Sequence, residues 1–138
     1  MRVALLYFPS KGSDAILPIA KAMARSLEAS GHFVDIGEAR SDESPRLTGY
    51  DYVVIGAESA GAFGKIPESI AQYLAQAGTL TGKRSMAFIR KSGLRPEKAL
   101  ARLMKAMEAE GMVVNCAEIV ANEADAARVA SDAPVERR

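Results

Sequence analysis

Val3-Ala4-Leu5-Leu6-Tyr7-Phe8 is a continuous apolar run with no polar residue at alternate positions. Strands that read this way are buried on both faces and occupy the middle of parallel sheets covered by helices. The run empties into Pro9-Ser10-Lys11-Gly12-Ser13-Asp14. A turn rich in glycine and hydroxyls, placed between a buried strand and a helix, collects free backbone N–H groups beside a helix N-terminus and favours a bound anion.

The rest of the chain alternates. Ile16, Ile19, Met23 and Leu27 recur at helical spacing from Ala15 to Ser30, with Gly31 at the C-cap position. Pro18 lacks an N–H, so the first regular turn is expected nearer Pro18, after a looser loop. Phe33–Ile36 is a short second strand, and the polar stretch from Glu38 to Gly49 has room for a short helix only. Tyr50–Gly56 is a third strand, rich in β-branched and aromatic residues. A glycine-rich loop then leads to Pro67, which opens a helix running to Ala77. Ser85–Ile89 is a fourth strand, Pro96 opens a helix closed by Gly111, and Met112–Val120 holds a fifth strand. Glu123–Ser131 is helix-prone, and 132–138 is expected to be a flexible tail after a single domain over 1–131.

Five strands alternating with helices predict an α/β, three-layer αβα sandwich with a five-stranded parallel sheet. A short second strand beside a buried first one favours the order 2-1-3-4-5. That order puts the ligand crevice at the carboxyl ends of strands one and three. The two loops there are Pro9–Asp14 and Gly56–Pro67.

With 138 residues, 49% hydrophobic and 25% charged, the chain can bury a core without staples. A formal net charge of +1 gives no global field for nucleic acid. The single cysteine, Cys116, excludes a disulfide framework or a CxxC site and reads as a small core residue. One histidine, His32, reads as a turn residue and rules out a histidine metal cluster or a Ser-His-Asp triad. No apolar run reaches membrane-spanning length, and the expected setting is the cytoplasm, with no nucleic acid and no membrane as partner. An aspartate ending strand three, as in phosphoacceptor receivers, is missing. So are the G-x-G-x-x-G fingerprint and a cysteine after strand one.

In order and spacing the chain resembles the flavodoxin family over residues 1–131. Ser10, Gly12 and Ser13 fall at that family's phosphate turn, and Val53–Gly56 leading to Gly64-Lys65-Ile66-Pro67 is similar to its second flavin loop. Ile89–Gly93 corresponds to the loop closing over the edge of the isoalloxazine ring. The resemblance implies FMN as cofactor, with Ser10, Lys11, Gly12 and Ser13 on the phosphate. Glu58, Ser59, Ala60, Gly61, Phe63 and Gly64 would line the ring, and Ser92 and Gly93 would cover its edge. The implied work is electron transfer with a redox protein partner or small flavin-dependent oxidoreductase chemistry; a homodimer is compatible with it. No catalytic acid or base stands out.

Two departures weigh against a simple assignment. The family's turn usually ends in a threonine, whereas Asp14 puts a carboxylate there. At about 4 Å and an effective dielectric near 20, a like-charge pair costs on the order of 4 kcal/mol. The helix N-terminus returns about 0.3–1 kcal/mol, up to about 2. Asp14 therefore either opposes the phosphate or caps helix one and points aside. The second loop also offers Phe63 as its one stacking ring. Arg90, Lys91, Arg95 and Lys98, with Lys11 and Lys65, form a basic rim that is either a solvated edge or an anion-facing one. Glu58 is either a flavin or substrate partner or a solvated loop residue. The alternative function is a flavodoxin-like domain without flavin, serving as an interaction or anion-binding module for a small anionic ligand.

Overall fold

The computed structural model describes residues 1–10, 13–38, 46–59, 63–93 and 95–136. Five strands alternate with four helices among them: β1 (Arg2–Phe8), α1 (Ile16–Ala29), β2 (Phe33–Glu38), β3 (Tyr52–Glu58), α2 (Ser69–Gln76), β4 (Arg84–Arg90), α3 (Pro96–Ala109), β5 (Val113–Val120) and α4 (Glu123–Asp132). All pairings are parallel and the order is β2-β1-β3-β4-β5, as the strand pattern predicts.

Successive side chains of a strand face opposite ways, so each central strand feeds two cores. Ala4, Leu6, Phe8, Val53, Ile55, Ala57, Ala87 and Ile89 pack against Ile70, Tyr73 and Leu74 of α2 and Ala99, Leu103 and Met107 of α3. Val3, Leu5, Tyr52, Val54, Met86 and Phe88 pack on the other face against α1 and α4, through Ile16, Met23, Leu27 and Val129. Every residue of β3 is buried. The outer strands β2 and β5 leave Phe33, Ile36 and Val113 exposed.

Several local expectations are corrected. α1 begins at Ile16, not near Pro18. Pro18 is its third residue, where an N–H has no partner within the helix, so the missing donor costs nothing. The expected short helix before Gly49 falls largely on 39–45, outside the described residues. Val135, placed in the tail by the sequence reading, is 2% exposed and packs into the α1/α4 core. The His32 side chain is 7% exposed. His32 is therefore more than a turn residue: its Nδ1 is 3.9 Å from Glu136 Oε1, with no hydrogen-bond partner among the described residues. Cys116 lies on the outer strand β5 and is half-buried. Burial, then Glu118 and Asp132, push its thiol up, away from nucleophile behaviour.

Two phenols make the core sensitive to alkali. Burial pushes Tyr73 up to about 12 and raises Tyr52 further above the ordinary tyrosine range; Tyr52 also donates to Asn115 Oδ1 at 2.6 Å. A raised folded-state value means that the native protein holds its proton more tightly than the unfolded chain. Stability is therefore complete below about pH 10 and declines as pH rises toward 12, by about 1.4 kcal/mol per unit for each group still protonated. Urea unfolding at pH 9, 10 and 11 should show a falling midpoint; a constant midpoint would contradict the burial of these phenols.

Candidate functional site

The chain leaves β1 toward β2 on one side and β3 on the other, so a crevice opens at the carboxyl ends of β1 and β3. Glu58 is the last residue of β3, not a loop glutamate, and its side chain is 4% exposed. It lies on the same sheet face as Tyr52, Val54 and Gly56, the face that α1 covers. Burying a carboxylate demands compensation, and three groups supply it.

Ser13 is the first. Its N–H donates to Ser10 O at 3.0 Å, which closes the turn after β1. Its hydroxyl donates to Glu58 Oε1 at 3.0 Å and lies 3.3 Å from Oε2. The second is the Ala15 N–H, which donates to Ser13 Oγ at 3.3 Å and so extends the amino end of α1 toward the carboxylate through the serine. The third is Arg90, the last residue of β4, whose Nη1 is 3.4 Å from Glu58 Oε2. Glu58 and Arg90 are register partners across β3 and β4, so the sheet itself delivers the counterion.

Asp14 is exposed and supplies no side-chain cap; the N-cap of α1 is Ala15 without a side-chain hydrogen bond. The capping alternative for Asp14 is thereby corrected: its backbone carbonyl, not its carboxylate, serves the helix, accepting from Leu17 N–H at 3.2 Å. Lys11 and Gly12 lie outside the described residues.

The second and third loops are tied together by Ser59 Oγ, which donates to Ser92 O at 3.1 Å. Ala60 and Gly61 lie outside the described residues. Phe63 is 68% exposed, and its carbonyl accepts from Arg102 Nη1 at 2.7 Å. Gly64 is buried with φ +71°; a Cβ there would stand 2.7 Å from Lys98 Cβ and 3.0 Å from Arg95 O. Only glycine lets this loop seat so closely on the start of α3. Gly93 also has positive φ, +62°, in the third loop. Of the basic rim, Arg90 is committed to Glu58, while Lys65, Lys91, Arg95 and Lys98 are exposed.

Sequence reasoning brought Ser13 and Glu58 to one crevice and missed both their mutual bond and the role of Arg90. Parallel pairing of β3 and β4 leaves the register open in the sequence, and the observed register is what sets Glu58 beside Arg90.

The chemistry of this donor set fits an oxyanion. A hydroxyl backed by a helix end and a guanidinium converge on one buried carboxylate, and the same donors suit the phosphate of FMN in kind. They do not suit it in charge while Glu58 holds them, because two anions would share one set. Beside this cluster, the second and third loops present the exposed Phe63 ring and the Ser59–Ser92 bridge.

No protein-family profile and no curated protein matches the sequence. Solved structures do. An archaeal flavodoxin is 18% identical with TM-score 0.70, covering 96% of this chain and 95% of its own. Oxidised flavodoxin 1 from Bacillus cereus is 19% identical with TM-score 0.68, covering 93% and 92%. A short-chain flavodoxin associated with a non-canonical PDU bacterial microcompartment is 17% identical with TM-score 0.69, covering 94% and 93%. At these identities the likeness establishes the fold, which is that of flavodoxins. Among the described residues, no helix is long and apolar enough to cross a membrane.

Proposed function

We propose that the crevice binds FMN and that the domain carries electrons. The observation that supports this reading is the convergence of Ser13 and Arg90, 77 positions apart in sequence, on one oxyanion at the carboxyl ends of the central strands. On this reading the Ser10–Ser13 turn, with Lys11 and Gly12, holds the phosphate. The loop from Ser59 to Gly64 lines the ring, Phe63 provides its stacking face, and Ser92-Gly93 borders its edge. The flavin, when bound, supplies the redox chemistry; the chain's residues bind and orient it. The flavodoxin fold of the solved structures is the context for this reading.

Titration of the purified protein with FMN, followed by flavin fluorescence, tests it. Quenching should saturate at one FMN per chain. A colourless protein that quenches no flavin at high micromolar FMN would rule it out. A second reading, an anion-binding or interaction module without flavin, is favoured by one observation: the oxyanion donors are already satisfied internally by Glu58.

A further inference from the structure

We infer that Glu58 is a built-in stand-in for the phosphate, so that a phosphorylated ligand must expel its carboxylate to bind and an unphosphorylated flavin need not. This rests on the flavin reading for the identity of the ligand, and on geometry alone for the exchange.

Three features make Glu58 an occupant and not merely a wall residue. Its side chain is almost fully buried at 4% exposure, yet it ends a strand at the mouth of the crevice. Both of its oxygens lie within 3.3 Å of the Ser13 hydroxyl, and Oε2 also accepts from Arg90. The Ala15 N–H behind Ser13 completes the set, so the amino end of α1 addresses an anion that the chain itself provides.

The donors are few and shared. Ser13 has one hydroxyl proton, already given to Glu58, and the Arg90 side chain, 26% exposed, is the only cation in the structure paired with this carboxylate among the described residues. A phosphate dianion arriving at those donors meets a carboxylate within a few ångströms, in surroundings where like charges repel strongly. Either the phosphate stays out or Glu58 swings toward solvent past the half-buried Ser13 and Arg90. The apparent affinity for the phosphate is then reduced by the small fraction of molecules with Glu58 displaced. An unphosphorylated flavin makes no claim on Ser13 or Arg90 and escapes this penalty. Glu58 is thus a specificity-determining residue, setting the preference between phosphorylated and unphosphorylated ligands.

The experiment measures dissociation constants of FMN and riboflavin, and thermal shifts with inorganic phosphate, for the wild-type chain and Glu58→Gln. The expected result is FMN tightening by roughly 10- to 100-fold in the variant and riboflavin changing by less than about twofold. Phosphate should raise the melting temperature of the variant more than that of wild type. The wild-type chain provides a second measurement that does not depend on the variant folding: it should bind riboflavin at least as tightly as FMN. Wild-type preference for FMN by tenfold or more would overturn the inference, as would equal tightening of both flavins or none. If neither flavin binds either protein but phosphate selectively stabilises Glu58→Gln, the exchange stands and the flavin reading falls. If phosphate also fails to do so, both fall.

Discussion

Gly56→Ala is expected to cost about 3 kcal/mol, at the upper end of what overpacking a core does. A Cβ at Gly56 would lie 2.0, 2.2 and 2.5 Å from three carbons of the Phe88 ring, with both residues fully buried. The two are register partners on β3 and β4, and Gly56 also pairs with Tyr7 of β1. The far end of the Phe88 ring occupies the place a Cβ would take, and a shift of β3 would disturb the ladders on both sides. Against a total stability of about 5–15 kcal/mol this is a large fraction. Urea unfolding checks the figure, and Gly56→Ala combined with Phe88→Leu should lose clearly less than the sum of the two single changes. A variant within about 0.5 kcal/mol of wild type would mean that the ring does not lie on Gly56.

Arg90→Met is the second large effect. Removing one partner of a buried ion pair leaves an uncompensated charge, typically at about 3–5 kcal/mol. Here the Arg90 side chain keeps 26% exposure, so solvent already screens part of the pair. The expected loss is about 2 kcal/mol. The informative comparison is the double change Glu58→Gln with Arg90→Met, which removes the orphaned charge and should be more stable than Arg90→Met alone. Additive losses in denaturant unfolding would show that the two side chains do not depend on each other.

The sequence made much of the framework legible. The unbroken Val3–Phe8 run marked a central strand because every position in it but the part-buried Tyr7 is buried on one face or the other. Pro67, Pro96 and Gly111 punctuated the second and third helices to within about two residues. The end of β3 was less legible. Propensity ends it at Gly56, since glycine, alanine and glutamate are poor strand residues. Pairing with β1 and β4 carries it on to Glu58 through Phe8↔Ala57 and Glu58↔Arg90. Those two extra residues turn a solvated loop glutamate into a buried carboxylate.

Local pattern alone indicated the layers and favoured the strand order, and with it the crevice between the first and third strands, because burial periodicity and turn chemistry are written in neighbouring residues. It also marked the turn through Ser13 as a candidate anion site. Which anion was decided by tertiary structure. Parallel register places Arg90 beside Glu58 and brings Ser13 to the same carboxylate from 45 positions away. No window of sequence contains those contacts. They exist because three strands end at one level of one sheet, where a buried charge must take whatever donors the register sets beside it.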